Sequence, residues 1–203
     1  MDVTQITLFA PRVLVLAAGA GSRMGEPKVF ANIYQKPFGF HVAGTLTALK
    51  WPAVWVLRDS SQISQVRTWL QTPQCQIVLN PQGDMFASIV AGLSSLRSAR
   101  DETFCIWPID FPLICPQTLL QLEQKILEGY DAVVPIAFTG QVGHPLFVRR
   151  HVLMRWVSAL PATGGLRAAM ATSSCRLLHE PTRDPACFCN LNTPADVRAF
   201  EEQ

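Results

Sequence analysis

No stretch of this 203-residue chain approaches the uninterrupted apolar length that spans a bilayer, which argues against a helical membrane anchor. The opening residues, Met1 to Pro11, lack the basic start and small-residue cleavage site of an export signal. The expectation is therefore a cytoplasmic protein. Charge is sparse, at 16% of residues with a formal net charge of +2, and like charges never form a block. A nucleic-acid track is excluded on that ground. Of six cysteines only Cys187 and Cys189 are close, as C-x-C around Phe188, and there is no C-x-x-C pair or matched Cys/His cluster. That spacing disfavours a zinc site and predicts reduced structural thiols, with Cys105 a small buried hydrophobe in an apolar run. Internal repeats, low-complexity tracts and linkers are missing too, so one domain spanning 1–203 is expected. The 15 prolines only punctuate the ends of elements.

What is present is a regular alternation. Apolar runs of strand length fall at Arg12–Leu16, Ala53–Leu57, Gln76–Leu79, Phe104–Trp107, Ala132–Pro135, Leu146–Val148 and Arg176–Leu178. Several are almost wholly apolar, which suits strands covered on both faces. Between them lie helical periodicities: Ile63, Val66, Trp69 and Leu70; Met85, Ile89, Leu93 and Leu96; Leu119, Leu122 and Ile126 behind Pro116. Strand and helix in alternation predict a Rossmann-like three-layer α/β sandwich, a mostly parallel sheet with helices on both faces. Ligands of such sheets sit beyond the carboxyl ends of the strands.

The first strand runs into Leu16-Ala17-Ala18-Gly19-Ala20-Gly21-Ser22-Arg23-Met24-Gly25-Glu26-Pro27-Lys28. Glycine-rich backbone offers N–H groups carrying partial positive charge, and Arg23 and Lys28 add full charges, which together make a phosphate cradle. The glycine spacing, G-x-G-x-x-x-G, is neither the dinucleotide fingerprint nor the P-loop. Without the third fingerprint glycine and its acidic partner, a nicotinamide dehydrogenase is disfavoured.

Three further stretches carry candidates. Asp110 stands in Pro108-Ile109-Asp110-Phe111-Pro112, a stiff turn just past a buried strand. It is either a turn or N-cap aspartate or, on the same edge as a phosphate loop, a ligand for Mg²⁺. In Asn190-Leu191-Asn192-Thr193-Pro194-Ala195-Asp196, Thr193 and Pro194 open the last helix with Asp196 in its first turn. Asn190 and Asn192 are left over, and an amide oxygen from either completes a cation site opposite Asp110. Ser88, in the helix after the Asn80–Asp84 turn, either back-bonds to a carbonyl or faces a base. His144, in Gly143-His144-Pro145, is a turn histidine with an open chemical role.

The run from Leu16 to Lys28 resembles the signature of the MobA/MocA-like nucleotidyltransferases, which include enzymes of the molybdenum cofactor. Pro108 to Pro112, Gly143 to Pro145 and Asn190 to Asp196 extend the resemblance over nearly the whole chain. It implies that the backbone from Leu16 through Ala17, Ala18, Gly19 and Ala20 to Gly21 wraps a nucleotide, with Arg23 and Lys28 on its phosphates. Asn80 and Ser88 would lie near base and ribose, and Asp110 would hold Mg²⁺ with Asn192 or Asn190. The implied reaction moves a nucleoside monophosphate from an NTP to a phosphorylated acceptor, such as molybdopterin, and releases pyrophosphate. An acceptor phosphate oxygen is an adequate nucleophile, so no activated serine or cysteine is required.

Within that resemblance Ala17-Ala18-Gly19, Phe86-Ala87-Ser88-Ile89 and Gly143-His144-Pro145 favour CTP as donor. Two departures from that branch leave the acceptor open: N-L-N-T-P stands where D-x-D-T-P is usual, making the second ligand an amide, and Asp84 stands where glycine is expected. An isoprenoid-pathway cytidylyltransferase is disfavoured, because its H-D-A-A-R-P motif has no counterpart. The alternatives are GTP as donor, a sugar phosphate or other small phosphate as acceptor, or a non-catalytic nucleotide-binding protein. A molybdoenzyme or chaperone is the implied protein partner.

Overall fold

The computed structural model describes residues 10–71, 74–96, 102–163 and 166–202. The expectation about the first eleven residues falls almost entirely on 1–9, outside the described residues. In chain order the elements are β1 (Arg12–Ala17), β2 (Asn32–Ile33), β3 (Lys36–Pro37), α1 (Phe38–Leu49), β4 (Ala53–Leu57), α2 (Ile63–Arg67), β5 (Gln76–Leu79), α3 (Met85–Ser94), β6 (Thr103–Pro108), α4 (Pro116–Leu127), β7 (Ala132–Ile136), β8 (Leu146–Arg149), α5 (Arg150–Thr163), α6 (Leu166–Thr172), β9 (Leu177–Pro181) and α7 (Pro194–Glu201). Strands β2 and β3 form a small separate hairpin, and the other seven form one sheet in the order β5-β4-β1-β6-β8-β7-β9.

Six of the seven run parallel; β8 is antiparallel to both β6 and β7. The apolar composition of β1 follows from its central position. Val13, Val15 and Ala17 face one side, where Phe38, Val42 and Leu46 of α1, Leu119, Leu122 and Ile126 of α4 and Val197 of α7 pack. Leu14 and Leu16 face the other, against Ile89 and Leu93 of α3, Val152 and Trp156 of α5 and Ala169 of α6. With a side-chain period of two, a strand covered on both faces has no position left for a polar residue.

The expected layers are therefore present, with local corrections. The run predicted at Arg176–Leu178 begins one residue later and extends to Pro181 as edge strand β9. Helix α2 stops at Arg67, and Trp69 and Leu70 continue it only as tight turns, their N–H groups donating to the carbonyls of Val66 and Arg67. Met85 does not join the buried face of α3; it is 49% exposed, while Ser88 takes a buried place beside Ile89 and Leu93. All six cysteines are free thiols. Burial pushes the Cys105 thiol well up, as it does Cys187, where Asp184 adds to the effect. Among the described residues no helix is long and apolar enough to cross a membrane.

One half-buried carboxylate sits against this core. Burial of Glu123 on α4 pushes its carboxyl up from 4.5 to about 7. Between those values the folded chain holds a proton that the unfolded chain has lost, so stability falls as pH rises through that window and levels off above it. Glu123→Gln is expected to raise Tm at pH 8 by about 2–4 °C, the shift that about 1 kcal/mol produces in a chain of this size. It should also flatten the Tm profile between pH 5 and 7. Melting both proteins across pH checks this; an unchanged slope counts against it.

Candidate active site

Strand order places the site. After β1 the chain steps outward through β4 to β5, then returns to the other side of β1 to lay down β6. The connections leaving β1 and β6 therefore diverge, opening a crevice at the carboxyl edge, the usual ligand position in a doubly wound sheet. The two strand ends remain tied, since the Ile109 N–H donates to the Leu16 carbonyl at 3.1 Å. A cleft of about 330 Å³ opens there, and Leu16, Ala18, Gly19, Lys28, Ser88 and Asp110 are among its walls.

The loop after β1 is built to present amides. Gly21 has φ +65°, and the N–H groups of Met24 and Gly25 both donate to its carbonyl. That tight turn leaves the N–H groups of Gly19, Ala20 and Gly21 without a protein acceptor among the described residues. Exposed amides with no internal partner are what an anion requires. Ala17 contributes backbone alone, because its side chain is in the core beneath the loop.

Beyond the turn, the loop's two cations converge on Asp110 and Asn192. The Lys28 Nζ donates to Asp110 Oδ2 at 3.1 Å and to Asn192 Oδ1 at 2.6 Å. The Arg23 guanidinium donates to the same Asn192 Oδ1 at 3.2 Å. Asn192 Nδ2 reaches the Asn190 carbonyl at 3.5 Å, so its oxygen is left facing the cations. Asp110 is held from both sides of its turn: its carbonyl accepts from the Leu191 N–H at 3.0 Å, and the Trp107 indole donates to the Phe111 carbonyl at 2.8 Å. Asn192 therefore shares the Lys28 ammonium with Asp110, while Asn190 lines the same cleft as Lys28 and Asp110.

The base-side candidates separate as well. Asn80 is 5% exposed and is a brace: its N–H donates to the Leu57 carbonyl, and its side chain donates to the Asp84 carbonyl and to Ser88 Oγ. Ser88 Oγ donates back to the Asp84 carbonyl at 2.8 Å, the back-bond expected of a helical serine, and the residue also lines the cleft. Asp84, where glycine was expected, caps α3 by accepting from the Ala87 N–H at 2.7 Å. His144 lines the cleft with its ring 4.5 Å from that of Phe111.

Asp196 has a part that reading the sequence gave only to a helix cap. Its carboxylate accepts from the Thr193 N–H at 2.8 Å, completing a capping box, and from the Asn192 N–H at 2.9 Å. The Asn192 hydrogen bond is the main cause holding its carboxyl below the usual range. The T-P-A-D pattern signals the cap; nothing in it signals that the same carboxylate orients Asn192.

Two oxygens that share one ammonium, those of Asp110 and Asn192, have the donor chemistry that fits a hard divalent ion. Mg²⁺ takes one or two protein oxygens and fills the rest of its octahedron with phosphate oxygens and water. An additional soft or nitrogen ligand is not needed.

Sheet order and crevice thus define the class: a doubly wound α/β protein of the nucleotide-diphospho-sugar transferase fold, with its glycine-rich loop at the switch point. The chain belongs to the MobA-like NTP transferase family, whose profile matches residues 13–179. It is 31% identical over 124 residues to a probable molybdenum cofactor guanylyltransferase of Bacillus cereus, a stretch covering 61% of this chain and 60% of that relative. The match thus spans less than two thirds of that relative's length. A molybdenum cofactor guanylyltransferase of Vibrio cholerae is 26% identical over 191 residues, covering 92% of this chain and 89% of its own. In fold, the chain resembles the crystal structure of Rv0371c from Mycobacterium tuberculosis in complex with manganese, with TM-score 0.71 and 20% identity over 96% of this chain and 99% of that one.

Proposed function

We propose that this protein transfers a nucleoside monophosphate from GTP to the phosphate of molybdopterin and releases pyrophosphate. The convergence of Lys28, Arg23, Asp110 and Asn192 opposite the open amides of Gly19 to Gly21 is the observation that supports it. An acceptor phosphate oxygen attacks the α-phosphorus of the nucleotide. The bond from that phosphorus to the oxygen bridging it to the β-phosphorus breaks, and pyrophosphate leaves with the electron pair. The loop amides, Arg23 and Lys28 hold the triphosphate and offset charge that grows on the leaving oxygens. Asp110 and Asn192 would hold Mg²⁺ or Mn²⁺, which supplies charge neutralisation at the phosphates when bound. Ser88, braced by Asn80, would lie along the nucleoside.

The guanylyltransferase names of both curated relatives favour GTP, as does the N-L-N-T-P departure from the cytidylyl pattern. The Ala17-Ala18-Gly19 spelling favours CTP as the second reading. Thermal melting with GTP, CTP, ATP and UTP, each with and without Mg²⁺, separates them. A selective nucleotide at 100 times its Kd adds about 2.7 kcal/mol, hence a rise of several degrees in Tm. Metal-dependent stabilisation by GTP is expected; the same response to CTP alone moves the assignment to the second reading. Equal response to all four, or none, removes both. Pyrophosphate release with molybdopterin as acceptor completes the test.

A further inference from the structure

The ammonium of Lys28 lies between the very two oxygens, Asp110 Oδ2 and Asn192 Oδ1, that the functional reading gives to the divalent ion. The pair is sheltered, with the Lys28 and Asp110 side chains 14% and 20% exposed. We propose that Lys28 is a resident cation: in the nucleotide-free protein it holds Asp110 and Asn192 in place and competes with the metal for them. It yields them when a triphosphate arrives.

The physical case has three parts. An octahedral divalent ion held by this pair takes each oxygen it uses at about 2.0–2.1 Å. An ammonium already bonded to both must leave first, because two cations on one oxygen pair repel strongly where solvent is restricted. The empty site is also a weak one, since Asn192 contributes a neutral amide where a second carboxylate would add charge. Finally, a better partner for Lys28 is close at hand. Charge-assisted hydrogen bonds to phosphate outdo those to a neutral amide, and the amides of Gly19 to Gly21 place phosphates on the adjoining wall. The same exchange applies to Arg23, whose guanidinium shares Asn192 Oδ1. Nucleotide and metal are then positively coupled, each raising the affinity for the other by the same factor. Lys28 is on this view both a phosphate ligand and the positioning residue of the metal pair.

This inference rests on the assignment of Asp110 and Asn192 as the metal pair. The test measures Mn²⁺ binding to the full chain by the EPR signal of free Mn²⁺, without nucleotide and with a non-hydrolysable GTP analogue. Lys28→Met is expected to bind Mn²⁺ alone at least about tenfold more tightly than the wild type, the effect of removing one competing charge-assisted bond. Lys28→Arg, which keeps the charge, is expected to bind as weakly as the wild type. Lys28→Met binding no tighter than wild type overturns the proposal. So does a wild type that binds Mn²⁺ equally well with and without nucleotide, a comparison that decides even if the methionine variant does not fold. A gain in Lys28→Met alongside absent pyrophosphate release with every NTP separates the two: the resident cation then stands and the proposed reaction falls.

Discussion

Asp110→Ala is expected to lower pyrophosphate release by on the order of 10³ while shifting Tm by no more than about 4 °C. The size of the first effect follows from the donor set. Asp110 is the only carboxylate among the described residues that bonds to Lys28, and loss of one preorganised electrostatic group typically costs 10²–10³ in rate. The smallness of the second follows from the backbone. The turn from Pro108 to Phe111 is fastened by the Ile109 N–H on Leu16, the Leu191 N–H on the Asp110 carbonyl, and the Trp107 indole on Phe111. None of those bonds uses the carboxylate. Lys28 loses its counter-charge but keeps Asn192 as an acceptor at 2.6 Å, so its ammonium still has a hydrogen-bond partner. Steady-state rates and a melting curve on the same preparation check both halves. Full activity in the alanine variant would remove Asp110 from the chemistry.

Gly21→Ala is expected to abolish nucleotide binding, with activity reduced at least about a hundredfold. Gly21 sits at φ +65°, a conformation costing an L-residue roughly 1–2 kcal/mol. Space is the harder constraint. A Cβ there falls well inside contact distance of the Glu26 carbonyl oxygen, an atom of the backbone that has no rotamer to change. The loop must open, and with it the turn that leaves the amides of Gly19 to Gly21 unpaired. Gly19 supplies the contrast, since a Cβ at that position meets nothing within 4 Å and faces the open cleft. Gly19 has room for a side chain, whereas Gly21 must be small for the turn to close. Isothermal titration with GTP and Mg²⁺ reads the outcome for Gly21→Ala; wild-type affinity would show that the loop tolerates the methyl group.

The legible parts of this chain were those governed by local pattern. Strands β1, β4 and β6 are apolar at nearly every position because helices cover both faces of the sheet, and that pattern distinguishes them from half-exposed strands. The capping box at Thr193 and Asp196 is likewise a matter of neighbours in sequence. Other features had no local signal. Strand β8 is apolar whichever way it runs, so its antiparallel direction is invisible in Leu146–Arg149. Helix α1 begins after Pro37 with no side-chain cap and no acid in its first turn, so nothing marks its start. Met85 fitted the periodicity of α3, but the cleft at that helix's beginning leaves it exposed.

By itself, the sequence determined the alternation of strand and helix, and it offered the glycine-rich loop from Leu16 to Lys28 and the candidates Asp110, Asn190 and Asn192. Spacing along a chain is enough for those because backbone geometry and hydrophobic period act over a few residues. Only the tertiary structure decided which candidates meet. Lys28 bonds to Asp110 across 82 positions and to Asn192 across 164, and Asn190 lines the cleft beside them. Those contacts depend on strand order, which brings the ends of β1 and β6 together at the switch point. Strand order is set by the burial of both sheet faces at once, a global condition that no single stretch of the sequence contains.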